Sequence, residues 1–329
     1  MPAPRALVPL AALLGAFGCT PAVSQPPRSA PPPAVDHADT DEDAPAHGHR
    51  GPIPPDIVER SAMPFHGLRT ADNTPLSDEE LLDDLSRADA NCVGEDHDNP
   101  HSHWAQLRVL SGLIERRGMS GREIGIGLEM VSVEQQDVLD DFQTGKIDSA
   151  ELAKQLDWEE TWGWAFDFYR PMLEVARDEG LTILGLNVPR QLPRLVAKYG
   201  PDDVEDHWDG KLPELDLTDA EHKRWFKSVM RAHPSPHASP DRMYAAQVVW
   251  DEGMAEAAAA WLRDRIPGRQ LLILAGAGHC WSRAIPKRLE RRTSARVATV
   301  RPVVLPAADH PLPEVEEGYD YLFLMAPEE

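Results

Sequence analysis

Three histidines and three acidic residues crowd one short stretch, Gly94-Glu95-Asp96-His97-Asp98-Asn99-Pro100-His101-Ser102-His103. Imidazole nitrogens and carboxylate oxygens are ligands for zinc, iron, nickel or copper, and they also pair as acids and bases in hydrolysis. A second stretch, Gly276-Ala277-Gly278-His279, repeats the Gly-x-x-His spacing. One such spacing is a weak signal, because a lone histidine is more often a hydrogen-bonded structural residue. Two copies, each after an apolar strand-like run, carry more weight. If the two turns meet, Glu95, His97 and His279, with Glu129 nearby, offer a mixed nitrogen and oxygen metal site. In a hydrolytic alternative, Glu95 and Glu129 would activate water. Gly94 and Gly276 are expected to let the chain turn sharply, and Gly278 to let backbone approach a ligand.

Other residues are candidates with bland alternatives. His101 and His103 fall in a helical first turn and read as surface residues. His233 and His237 lie in a proline-containing loop that either covers the site or is simply exposed. Tyr169 follows Trp162, Trp164, Phe166 and Phe168, a spacing that suits core packing. It also suits an anionic axial ligand for haem iron, with Trp164 and its neighbours stacking on the porphyrin. No Cys-x-x-Cys-His occurs, so covalent c-type attachment is excluded. Haem propionates prefer Arg or Lys, which Arg170 or Arg190 could supply. The pocket acids suit a divalent ion better.

These residues must be positioned by strands and helices. Ser77 with Glu80 forms a capping box, and Asn99 followed by Pro100 starts a helix reaching about Arg117, closed by Gly118. Strands are expected at about 90–93, 124–129, 181–186, 270–275, 295–304 and 319–324. Thr218 with Glu221 reads as another capping box, and Ser239-Pro240 opens a long helix through Leu262. Short apolar strands alternating with helices predict an α/β fold with a mostly parallel central sheet and helices on both faces. Two helical insertions, about 132–179 and 190–265, are long enough to form a lid over the strands' carboxyl ends, where such sheets place ligands.

The net charge of -22 argues against nucleic acid as a partner. Arg5, the apolar run Ala6 to Phe17, and Gly18-Cys19 read as a lipoprotein-type signal peptide over 1–19, with Cys19 lipidated; an ordinary secretory signal is the alternative. Residues 20–73, rich in Pro, His and Asp, read as a disordered tether, and 74–329 as one α/β domain. Cys92 and Cys280, one beside each turn, read as two buried free thiols; a disulfide becomes geometrically possible only if the turns adjoin.

The ordered set Val93-Gly94-Glu95-Asp96-His97-Asp98-Asn99-Pro100, Gly127-Leu128-Glu129-Met130 with Gln135, Leu186-Asn187, Gln247 to Ala255, and Ala275 to His279 resembles the ChaN-type lipoproteins. These are a haem-binding uptake family within the Tiki/erythromycin-esterase-like superfamily, and the resemblance spans about residues 76–304. It implies a lipid-anchored envelope protein facing the periplasm or exterior. Such a protein would bind haem or iron for uptake or storage, as a binding protein rather than an enzyme, and a homodimer is one expected assembly. The superfamily relation implies the alternative of a metal-dependent hydrolase. By that resemblance Glu95, His97, Glu129 and His279 match the shared pocket, and Tyr169 matches less securely.

Overall fold

A computed structural model describes residues 54–327 apart from 231–238, 264, 308–309 and 311–317, and apart from the side chain of residue 205. The signal peptide, Cys19, the tether up to residue 53, His233 and His237 lie outside the described residues. Among the described residues no helix is long and apolar enough to cross a membrane.

Eight strands form one sheet: β1 (Phe65–Arg69), β2 (Thr74–Leu76), β3 (Ala90–Glu95), β4 (Glu123–Ser132), β5 (Thr182–Asn187), β6 (Arg269–Gly276), β7 (Val297–Val304) and β8 (Tyr321–Met325). Their order is β2-β1-β8-β7-β3-β6-β4-β5. The six strands from β8 to β5 run parallel, and β1 pairs antiparallel with both β8 and β2. The mostly parallel α/β sheet expected from the sequence is therefore present. The body begins earlier than Leu76, however. Phe65 to Arg69 lies in the stretch read as tether, yet it is a sheet strand, and Phe65 stacks on Phe323 at 4.2 Å.

Burial on both faces explains the unalternating apolar strands. Leu272 and Leu274 of β6 enter one core, with Val93 of β3, the Pro100–Ser120 helix and the first insertion. Leu271 and Ile273 enter the opposite core, with Cys92, the Pro240–Leu262 helix and the Ile285–Arg292 helix. Each such fully buried side chain stabilises the fold by about 1.5–3 kcal/mol. The insertions carry no strand among the described residues and pack directly on the sheet.

Local signals account for most helix ends. Ser77 and Glu80 make the expected capping box, and Asn99 accepts a hydrogen bond from the His101 N–H. The Pro100 helix runs past Gly118 to Ser120 and closes at Gly121, whose φ of 65° is left-handed. Asp219, rather than Thr218, caps the Ala220–Val229 helix, because its carboxylate accepts from both the Glu221 and His222 N–H groups.

Cys92 and Cys280 form a disulfide with Cα atoms 5.2 Å apart, which corrects the reading of two free thiols. Strand alternation puts Cys92 on the face where the short Ala277–Cys280 helix folds back, within bonding reach. The bond closes a loop of 188 residues. Replacing both cysteines by alanine is expected to lower unfolding free energy by roughly 2–5 kcal/mol, read from urea denaturation of the two proteins. An unchanged midpoint would show that the bond adds nothing to the packing around it.

Candidate functional site

Residues 90–95 of β3 lie beside residues 271–276 of β6, so Glu95 stands opposite Gly276. Both strands end at the same rim. The helix after β3 covers one face and the helices after β6 cover the other. A crevice between neighbouring strands whose connections diverge is where open α/β sheets bind ligands.

Alternation then divides the site into two halves. Val93 faces the first core, so Glu95 does too. Its Oε1 lies 2.9 Å from His97 Nδ1 and accepts the Tyr169 hydroxyl at 2.5 Å, while its Oε2 accepts Gln106 Nε2 at 2.8 Å. His103 stands 3.6 Å from Glu95 Oε2 and donates its Nε2–H to the His97 carbonyl at 3.0 Å. Trp162 donates to the Tyr169 hydroxyl at 2.9 Å. The His97 ring meets Trp162 edge-on at 5.0 Å and Trp164 at 5.7 Å.

Glu129 has the opposite parity. Its neighbours Leu128 and Met130 enter the first core, and the β4–β5 register shifts between Leu128 and Ser132. The Glu129 carboxylate accepts the Gly276 N–H at 2.6 Å and lies 3.3 Å from His279 Nε2. His279 Nδ1 donates to Asp251 Oδ1 at 2.6 Å, and Gln247 Nε2 lies 3.4 Å from the same oxygen. Asp251 and Gln247 come from the long Pro240 helix, so the second insertion builds this half.

The halves meet over Gly276. A methyl group there would lie 2.9 Å from His97 Cε1 and 3.6 Å from Glu129 Oε2. Its φ of -53° needs no glycine, so the residue is small for the sake of His97 and not for a turn. Gly94 is small for a similar reason, since a methyl would lie 2.9 Å from Ala277 Cα.

The fields in the two halves are strong because they are dry. Burial alone would push the Glu95 carboxyl up, but His103, His97 and Tyr169 outweigh it and hold it at about 2. Burial, reinforced by the Glu95 charge, pushes the Tyr169 phenol well above its usual range. Burial also opposes the Asp251 carboxylate, yet His279, Arg288 and His222 hold it below the usual range. For His279 burial disfavours the charged ring, and Glu129 and Asp251 reverse that and raise it.

The structure thus gathers Glu95, His97, Glu129, His279, Tyr169 and Trp164 at one rim. It buries His103, which had read as a surface residue, and stacks it on Phe168 at 4.8 Å. His101 instead lies near Ser61, 2.8 Å from its carbonyl. Among the described residues no group of three or more His, Cys, Asp or Glu side chains is arranged to hold a metal ion. The four proposed metal ligands are hydrogen-bonded to one another and to neighbours instead. Gln106 and His222 stand in none of the motifs read from the sequence, and Gln247 and Asp251 enter only within the run Gln247 to Ala255, with no role of their own. The available signal was polar residues four apart, Gln247 and Asp251, on an otherwise Ala- and Val-rich buried helix.

Glu95 is depressed in the folded state, so its contribution to stability is present above the ordinary carboxyl range and lost as pH falls through about 2. Glu95→Gln is expected to be less stable than the parent near neutrality. The gap should narrow as acid protonates Glu95 in the parent. Denaturant titrations at neutral and strongly acidic pH measure it, and a gap that widens in acid would reverse the assignment.

Comparison with known proteins bears on this arrangement. No curated protein matches the chain significantly. Among solved structures the chain is similar to one described as "Cofacial heme binding to ChaN of Campylobacter jejuni", at 20% identity, covering 79% of this chain and 96% of that one, with a TM-score of 0.63. More distant are the type III effector HopBA1, at 13% identity, 76% and 92% coverage and a TM-score of 0.42, and an erythromycin esterase EreC mutant in its open conformation, at 16% identity, 75% and 78% coverage and a TM-score of 0.43. The first of these likenesses bears on the fold alone. The family itself is shown by a sequence profile described as "Haem-binding uptake, Tiki superfamily, ChaN", which matches residues 81–289, well over half of the chain and the whole stretch from before Glu95 to beyond His279. The chain belongs to the ChaN haem-binding uptake family of the Tiki superfamily.

Proposed function

We propose that this protein binds haem at the rim of β3 and β6, with His97 as the nitrogen donor to iron. The observation that carries the reading is the Glu95–His97 contact at 2.9 Å. A carboxylate on Nδ1 fixes the ring and leaves Nε2 as the more basic ligand atom, the usual arrangement behind a metal-bound histidine. Haem supplies an iron centre that takes such a nitrogen and a flat apolar ring that needs a wall. Trp162 and Trp164, half-buried beside His97, supply that wall. Gly276 provides the close floor that a side chain would fill. Arg190 follows β5 at the same end of the sheet and donates to the Glu160 carbonyl at 2.7 Å; it is the proposed partner for a propionate. Tyr169 is 1% exposed with its hydroxyl committed to Glu95, so its role is to orient Glu95 rather than to ligate iron.

The buried disulfide supports an oxidising compartment, as expected for an envelope protein anchored through Cys19 and serving haem or iron uptake or storage. A metal-dependent hydrolase is the second reading. It is favoured by the Glu129–His279–Asp251 series, which places carboxylates on both ring nitrogens of one histidine.

Hemin titration of the purified protein is expected to give a saturable Soret shift. His97→Ala should weaken binding by about 10–100-fold, and Gly276→Ala should weaken it by displacing His97. Tyr169→Phe should retain the iron-bound spectrum. Loss of the band in Tyr169→Phe alone would make tyrosine the ligand. No saturable shift, together with stoichiometric zinc or manganese by elemental analysis, would favour the hydrolase.

A further inference from the structure

The half of the site behind His279 continues into the protein, and its hydrogen bonds fix where protons sit. Arg288 is 3% exposed, and a guanidinium only donates. Its Nη2 lies 3.2 Å from His222 Nδ1, so that nitrogen accepts. A neutral His222 must then carry its proton on Nε2. Burial keeps the ring neutral, pushing it to about 4 against the pull of Asp251. His222 Nε2 faces Asp251 Oδ2 at 3.6 Å, and neither atom has a hydrogen-bond partner among the described residues. The His222 ring stacks with Trp225 and Trp281, each at 5.8 Å, which limits its rotation. The other oxygen of Asp251 is the one 2.6 Å from His279 Nδ1. Gln247 Nε2 also lies 3.2 Å from Nδ1, but the shorter contact is to Asp251, and a carboxylate only accepts, so Nδ1 of His279 donates and the Gln247 amide is left to donate to the same carboxylate.

We propose that Arg288, His222 and Asp251 are positioning residues that keep Nδ1 of His279 protonated and so aim Nε2 at Glu129 and the rim. The series spans three elements: Arg288 on the Ile285–Arg292 helix, His222 on the Ala220–Val229 helix, and Asp251 on the long Pro240 helix. Glu95 serves His97 in the same way with fewer parts. The proton positions do not rest on the haem reading above. The chemistry parallels the aspartate of a Ser-His-Asp triad, where replacing the acid by its amide leaves the geometry but gives the wrong tautomer.

Long-range proton–nitrogen NMR spectra of the 15N-labelled protein without haem report which ring nitrogens are protonated. His222 is expected as the Nε2–H tautomer and His279 with a proton on Nδ1. A His279 lacking that proton would overturn the proposal. In Asp251→Asn the side-chain amide can donate to Nδ1, and His279 is expected to lose its Nδ1 proton while keeping the one on Nε2 that faces Glu129. An unchanged His279 signal in that variant would also overturn it. A parent protein that takes up no hemin yet shows both proton positions, with the loss in the variant, would support the proposal and remove only the haem reading. The parent spectrum requires no substitution, so a variant that fails to fold leaves the question decided.

Discussion

The site depends on one parallel ladder. Six consecutive pairs, from Ala90 with Leu271 to Glu95 with Gly276, lock β3 to β6 and end both strands at the same level. Side chains alternate with a period of two, so a slip of one residue would send Glu95 into the opposite core and withdraw it from His97 and Tyr169. Leu271 to Leu274 are buried on both faces, which makes such a slip costly. The register of apolar residues in mid-strand thereby sets the geometry of polar residues at the strand ends.

Those polar residues are not the source of stability. Glu95, Asp251 and Glu252 lie almost wholly inside the protein, and removing one partner of a buried charge typically costs about 3–5 kcal/mol. Each charge is matched: Glu95 by His97, His103, Gln106 and Tyr169, and Glu252 by Arg288, Arg291 and Arg292. Such networks fix a unique arrangement, while the two apolar cores supply the free energy that tolerates them. The matched charges also explain why the four rim ligands do not converge on a single point.

The parts of the fold legible in the sequence were those set by local chemistry. Capping residues such as Ser77 and Asn99, and the runs Ala90–Val93 and Gln270–Ala275, announce their elements directly. β1 was not legible, because a short antiparallel strand is defined by its partner β8, some 250 residues away. The two Gly-x-x-His turns were visible, as were Glu129 and Tyr169. The disulfide and the burial of His103 were not, since both depend on which face a side chain takes once strands are paired. Asp251 and His222 escaped for the same reason: each sits on a helix whose neighbours across the sheet are fixed by topology rather than by sequence spacing.

The antiparallel clasp of β1 on β8 has a geometric consequence. Phe65, at the start of β1, pairs with Met325, at the carboxyl end of β8, and β8 runs parallel to β3 and β6. The chain therefore enters the sheet at the same end as the rim. A fluorophore or affinity tag inserted just ahead of Phe65 would sit on the side of the molecule that carries the site. One inserted between β1 and β2, at residues 70–73, would sit at the far end. The strand order alone thus supplies a pair of labelling positions, one proximal and one distal, for reporting occupancy by distance-dependent quenching.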